Sequence, residues 1–241
     1  MAGVIFMSSV AYLLGLIVGD GGLYLLRYKG GRTEYRVVVT QKDAAIAENA
    51  AKMFHSLLKE LGLGSKVQVI SGRTRVEVRV SSKRLWQLFN DKLANLEGLA
   101  PDERIAFIRG LYDAEGDKTG RRARLWNKNR RLLDLVGSWL RELGIESRVY
   151  LDDKRHGVYV LEVPSPYRRR FFELLYPPQP PDSSGVHEWI NEVPTVPARG
   201  PANPPPGAQS WDPRRGEKSL WSFTAACRCG GAGGAERRWE R

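Results

Sequence analysis

The feature that most constrains this chain is an internal duplication. Ser56-Leu57-Leu58-Lys59-Glu60-Leu61-Gly62-Leu63 returns 82 residues later as Ser138-Trp139-Leu140-Arg141-Glu142-Leu143-Gly144-Ile145. Each octapeptide reads as the end of a helix stopped by glycine. After each comes a basic residue leading into a β-branched strand, at 66–70 and 148–151, and then a second strand, at 75–80 and 158–163. A further helical pattern closes each unit, at 83–96 and 167–175. Upstream, apolar helical segments at 11–20 and 105–115 both end in an acid plus glycine. Strand patterns follow them, at 23–28 and 34–40 in the first half and over roughly 118–126 in the second. Each half therefore reads α-β-β-α-β-β-α. The two acids are 95 residues apart against 82 for the later elements, so the first hairpin of the second half is 13 residues shorter. The plan is α+β, with tandem pseudo-symmetric αββαββα halves expected over 1–98 and 99–176 and antiparallel sheets.

Composition bounds the remainder. Of 14 prolines, 11 fall in residues 177–241, which lack any long periodic apolar segment and read as a disordered or loosely attached tail. The net charge of the whole chain is +11, and residues 1–176 account for +10 of it. Such an excess points to a polyanion, nucleic acid first. Met1 to Gly19 carry no charge, but no Lys or Arg precedes Asp20 and Ser8 and Ser9 interrupt the run. A buried helix is expected there rather than a signal or membrane anchor. The two cysteines, Cys227 and Cys229, are too close for good disulfide geometry and too few for structural zinc. A reducing cytoplasm suits the rest of the chain.

The strands carry the charge on one face. In 73–80, Arg73, Arg75, Glu77 and Arg79 share one parity and Val76, Val78 and Val80 the other. Arg32, Glu34 and Arg36 alternate with Thr33, Tyr35, Val37 and Val39, and Arg122, Arg124, Trp126 and Lys128 share a parity. Half-buried antiparallel sheets give this pattern. Arginine reads guanine edges bidentately and also holds phosphates, while glutamate accepts from cytosine. The sheet-face residues expected to contact a groove are Tyr24, Tyr28, Arg32, Glu34, Arg36, Arg73, Arg75, Glu77, Arg79, Arg122, Arg124, Trp126, Asp152 and Arg155.

The acid-terminated helices suggest chemistry. Leu13-Leu14-Gly15-Leu16-Ile17-Val18-Gly19-Asp20-Gly21 and Ile108-Arg109-Gly110-Leu111-Tyr112-Asp113-Ala114-Glu115-Gly116 each place two small residues four apart on one face: Gly15 and Gly19, Gly110 and Ala114. Such faces let two backbones approach closely. Packed in parallel, the helices would bring Asp20 and Glu115 together beside carbonyls that lack helical partners. Two adjacent carboxylates stay ionised readily only when cations neutralise them. With carbonyls and water they form a hard-oxygen set suited to Mg²⁺ or Ca²⁺. Metals so placed can activate water against a phosphodiester.

These two motifs resemble those of the LAGLIDADG homing endonucleases. The first agrees at Leu13, Gly15, Leu16, Ile17, Asp20 and Gly21. The second agrees at Gly110, Leu111, Asp113, Ala114 and Gly116, with Glu115 keeping the final carboxylate. Thr40-Gln41-Lys42, Ala114-Glu115-Gly116-Asp117-Lys118-Thr119, Trp126-Asn127-Lys128-Asn129 and His156-Gly157-Val158-Tyr159-Val160-Leu161 extend the likeness, which covers about residues 11–175. The chain looks like the single-chain, archaeal intron-encoded members. Val18, Gly19, Arg109 and Tyr112 depart from the motif without removing a carboxylate.

The resemblance implies saddle-shaped sheets astride DNA, with the motif helices packed at the centre. It implies a monomeric, site-specific endonuclease of intron homing, cutting both strands to leave short 3′ overhangs. Asp20 and Glu115 then match the metal-binding acids, and the Gly19 and Ala114 carbonyls match the adjoining backbone ligands. Lys118 matches the basic residue near the scissile phosphate. Gln41 with Lys42, and Asn127 with Lys128, match peripheral positions that order solvent at the cut. Mg²⁺ is the implied cofactor, with Mn²⁺ substituting and Ca²⁺ binding without supporting cleavage. Double-stranded DNA is the implied partner, intron RNA a second, and no membrane is involved. Two alternatives stay open: an RNA maturase or non-catalytic DNA-binding protein of the same fold, and a non-specific basic protein whose binding is salt-dependent without sequence preference.

Overall fold

Two glycine-stopped helices fix the repeat in three dimensions. The computed structural model describes residues 2–117, 119, 122–152 and 157–177, with backbone alone for 2–6. Helices α2 (Ala44–Glu60) and α5 (Arg130–Glu142) end alike. Gly62 and Gly144 sit at φ +63° and +72°, a left-handed conformation that glycine adopts without a Cβ penalty. The amides of Leu63 and Ile145 then reach back to the carbonyls of Leu58 and Leu140, each at 2.8 Å. The helices also start alike, with the side chains of Asp43 and Asn129 accepting from the amides of Ala45 (2.9 Å) and Leu132 (3.2 Å).

The first half contains α1 (Ala2–Asp20), β1 (Gly21–Arg27), β2 (Thr33–Gln41), α2, β3 (Val67–Ser71), β4 (Val76–Ser81) and α3 (Lys83–Ala94). Its strands form one antiparallel sheet in the order β1-β2-β4-β3. The second half contains α4 (Pro101–Glu115), β5 (Ala123–Asn127), α5, β6 (Arg148–Leu151), β7 (Tyr159–Val163) and α6 (Ser165–Leu175). Its antiparallel sheet has three strands, β5-β7-β6. Where two strands are expected over 118–126, the described residues form one strand and a single bridge, Gly116 to Leu125. The 13-residue deficit falls on this hairpin.

Alternation sets which face of each sheet is buried. Val37, Val39, Val78 and Val80 are fully buried on one face of the first sheet, and Ala123, Leu125, Leu161 and Val163 are buried in the second. Phe54 meets Phe89 edge-on under the first sheet, and Phe107 meets Trp139 under the second. The buried residues of both halves form one continuous cluster. Strand β4 begins at Val76, within a residue of the expected start at 75, while the charge alternation extends back to Arg73. The Gly72 amide donates to the Arg75 carbonyl at 2.8 Å, so Arg73 and Arg75 belong to the chain reversal before β4.

Helices α1 and α4 form the seam, with more extensive contact than any other pair of elements. A Cβ on Gly15 would lie 2.2 Å from the Phe107 carbonyl oxygen, and one on Gly110 would lie 2.1 Å from that of Tyr12. The backbones touch because neither position has a side chain. This explains why α1 is apolar on nearly all sides: it packs on α4 and on its own sheet. Among the described residues no helix is long and apolar enough to cross a membrane.

Candidate active site and nucleic-acid interface

The seam carries both acids to one place. A Cβ on Gly19 would lie 2.4 Å from the Ala114 Cβ and 3.2 Å from the Glu115 Cγ, so the last turns of α1 and α4 are side by side. Asp20 and Glu115 are the terminal residues of these helices, and both are half-buried. The final carbonyls of each helix, those of Gly19 and Ala114 included, lie beyond the helical hydrogen-bond ladder. Among the described residues no three His, Cys, Asp or Glu side chains gather into a metal cluster. The site therefore offers two carboxylates with backbone carbonyls, leaving other positions for water and phosphate oxygens. That set fits Mg²⁺, which keeps several waters and commonly binds through one or two carboxylates plus substrate phosphates.

Strand register duplicates the surroundings of each acid. Gly21, just after Asp20, pairs with Val39, and Gly116, just after Glu115, bridges to Leu125. Two residues on from these partners lie Gln41 and Asn127, followed by Lys42 and Lys128 and then by the helix caps Asp43 and Asn129. Gln41 is 3% exposed and its Nε2 has no hydrogen-bond partner among the described residues. The Asn127 side chain accepts from the Asn129 amide at 2.8 Å. Lys42 and Lys128 are exposed. The structure thus sets Gln41 with Lys42 by α1, and Asn127 with Lys128 by α4.

Lys118 and Arg155 lie outside the described residues. The Tyr112 hydroxyl shares its one proton between the carbonyls of Asp117 (3.1 Å) and Arg122 (3.4 Å), which flank Lys118 in sequence. Burial, with the charges of Asp117 and Asp113, pushes that phenol up to about 12, so it stays a donor. Asp117 accepts from the Thr119 amide and hydroxyl at 2.9 and 2.7 Å. Tyr112 looked like a mere departure from the motif in sequence. Arg109, another departure, stacks between the rings of Tyr12 (5.7 Å) and Tyr176 (5.1 Å). The Tyr12 hydroxyl donates to Asp113 at 2.8 Å, and so does that of Tyr176, which closes α6 onto the seam. Burial, then the Asp113 charge, raises both phenols well above their ordinary value.

The faces turned away from the helices are polar. On the first sheet Tyr24 pairs with Arg36 and Arg36 with Ser81; Thr40 pairs with Glu77, and Arg79 with Gln68. Glu34 lies two residues from Arg36 on the same face. Tyr28 and Arg32 occupy the β1–β2 turn, with the guanidinium 5.8 Å from the ring centre. On the second sheet Arg124 pairs with Glu162, and Trp126 donates to Asp152 at 3.1 Å across strands. Arg122 is exposed just before β5. Sequence reasoning missed Gln68, Ser81, Arg148, Tyr150 and Glu162. The alternation of Val67-Gln68-Val69 and of Leu161-Glu162-Val163 contained the signal for two of them.

A family profile described as LAGLIDADG-like domain matches residues 8–94 and 102–176. The chain belongs to the LAGLIDADG family. It is 49% identical over 180 residues to homing endonuclease I-DmoI of Desulfurococcus mucosus, covering 73% of this chain and 93% of that protein. The crystal structure of I-DmoI in complex with DNA and Mn superposes with a TM-score of 0.69 at 48% identity, covering 72% of this chain and 99% of that one. I-DmoI in complex with DNA and Ca gives 0.69 at 49% identity, over 73% and 95%. LAGLIDADG membership accounts for the acid-ended seam and for a polar sheet face on either side of it.

Proposed function

We infer that this chain is a site-specific double-strand DNA endonuclease that hydrolyses phosphodiester bonds with a divalent metal and leaves short 3′ overhangs. The observation that carries the reading is the pair of acid-ended helices in backbone contact, with the same Gln/Asn-Lys sequence beside each. I-DmoI, similar over nearly its whole length, is a homing endonuclease with structures holding DNA and Mn or Ca. Mg²⁺ is the working cofactor here. Asp20 and Glu115 hold it through their carboxylates, and Gly19 and Ala114 through their carbonyls. A divalent ion so held supplies Lewis-acid stabilisation of charge on the scissile phosphate and lowers the pKa of a bound water. Gln41 and Lys42 order solvent near one strand, and Asn127 and Lys128 near the other. Lys118 supplies positive charge near the scissile phosphate. The outward sheet faces hold the duplex, and their residues read its sequence. The two halves, 1–98 and 99–176, work as one monomer.

Asp20→Asn and Glu115→Gln test the assignment. Each should bind the target duplex while double-strand cleavage disappears, followed by gel shift and by product analysis. Undiminished cleavage by either variant would sink it.

A further inference from the structure

On each sheet one glutamate grips one arginine and one tyrosine, atom for atom in the same way. In the first sheet Glu34 Oε1 accepts from Arg36 Nε at 3.0 Å and lies 2.9 Å from its Nη2, while Oε2 accepts from the Tyr28 hydroxyl at 2.6 Å. In the second sheet Glu162 Oε1 accepts from Arg124 Nε at 2.9 Å and lies 2.8 Å from its Nη2, while Oε2 accepts from the Tyr150 hydroxyl at 2.7 Å. Ser81 adds a further donor to Glu34 Oε1 at 2.6 Å.

The two arrangements are assembled by different routes. Arg36 and Glu34 are two apart on one strand, whereas Arg124 and Glu162 are cross-strand partners. Tyr28 comes from a turn and Tyr150 from the edge strand β6. Duplication alone does not yield the same atomic pattern from non-equivalent positions. An isolated surface ion pair would also be worth little. Here each carboxylate instead has both oxygens engaged, and the arginines are 21% and 25% exposed.

The grip determines what each arginine has left to offer. A carboxylate on the Nε/Nη2 edge leaves Nη1 and the second hydrogen of Nη2, and Nη1 has no hydrogen-bond acceptor among the described residues. This is the fork that meets O6 and N7 of guanine in the major groove. Both oxygens of Glu34 and Glu162 already accept from an arginine and a tyrosine, which favours a role in holding the arginine over one in accepting from a cytosine amine. Burial tends to raise the Glu34 carboxyl, but the hydrogen bonds from Ser81, Tyr28 and Arg36 outweigh it and hold the carboxyl down at about 2. Glu162 is likewise lowered, with Tyr150 and Arg124 overcoming burial. Both clamps therefore stay charged at neutral pH.

We propose that Glu34 and Glu162 are positioning residues for sequence recognition, each fixing an arginine, Arg36 or Arg124, so that its terminal fork reads a guanine. The proposal rests on the endonuclease reading and goes beyond it by assigning one guanine per half-site to a named pair. Fixing a long side chain before binding avoids its ordering cost during binding.

The test is selection from a randomised duplex library, with Ca²⁺ in place of Mg²⁺, for the wild type, Arg124→Ala, Glu162→Ala and Glu162→Gln. Wild type should enrich a guanine that Arg124→Ala no longer requires, with discrimination of about 5- to 100-fold lost at that position alone. Glu162→Ala should weaken the same preference and no other, and Glu162→Gln should fall between. In the Arg124→Ala background, Glu162→Ala should change no preference further. Replacing that guanine by 7-deazaguanine should weaken binding by wild type and leave Arg124→Ala unaffected. Glu34 with Arg36 gives the parallel experiment in the other half. Failure of wild type to enrich any sequence would overturn the endonuclease reading itself. Enrichment by wild type with a uniform loss of affinity in the glutamate variants, or a loss at another position, would overturn this proposal alone.

Discussion

Gly15 offers the sharpest perturbation of the seam. In an isolated helix Gly→Ala would stabilise by about 1 kcal/mol. Here the new Cβ would sit 2.2 Å from the Phe107 carbonyl oxygen and 2.6 Å from the Leu111 amide nitrogen, both backbone atoms. Ordinary contact begins near 3.4 Å, so α1 and α4 would have to part by about 1 Å. Overpacking of this kind costs about 1–3 kcal/mol and occasionally more. Because no flexible side chain can give way, we take about 2–4 kcal/mol as the gross cost, and roughly 1–3 after the helix gain. That lowers the melting temperature by about 2–12 °C for a domain this size. Gly64, where a Cβ would meet nothing within 4 Å, is the control and should be neutral or slightly stabilised. Calorimetry measures the stability term, and cleavage by the folded variant reports whether the separated acids still work. Adding Gly110→Ala should cost less than its separate effect, because one separation of the helices relieves both clashes. An unchanged or raised melting temperature for Gly15→Ala would refute the close-contact reasoning.

Three further outcomes are expected. Tyr176→Phe removes a donor to Asp113 and should cost about 1–2 kcal/mol in denaturant unfolding, with an unaltered midpoint counting against the clasp. The stability gap between wild type and Glu34→Gln should be present at neutral pH. It should close as pH falls from 4.5 toward about 2, because the unfolded state takes up its proton first. A gap that persists unchanged at pH 2 would contradict the assigned hydrogen bonds. Deleting 178–241 should leave melting temperature and cleavage unchanged, and loss of either would give the tail a role in the core.

Much of this was written locally in the sequence. The glycine-stopped helices were legible because Gly62 and Gly144 each terminate a periodic apolar pattern, and local hydrogen bonds suffice to form that end. The acids were legible because small residues four apart predict which faces meet. The second sheet was harder, since a shortened hairpin leaves too few alternating residues to distinguish a strand from a bridge. Arg73 and Arg75 kept the strand's alternation although the chain reverses there. The roles of Glu34 and Glu162 were hidden for another reason. A carboxylate on a polar face has the same parity whether it meets a base or a neighbouring arginine. Only cross-strand register, a long-range property, decides that Arg124 lies opposite Glu162. Tyr112 and Tyr176 depended likewise on tertiary contacts with no local signature.

The single bridge at Gly116 and Leu125 makes the two arms unequal. A four-stranded platform lies on one side of the seam and a three-stranded one on the other. Turning the protein end for end on a duplex therefore does not restore the same set of contacts, even though the two seam helices end alike. A palindromic duplex could satisfy only one arm at a time. A bound complex would therefore have a polarity, with the Asp20 side and the Glu115 side of the seam facing different half-sites.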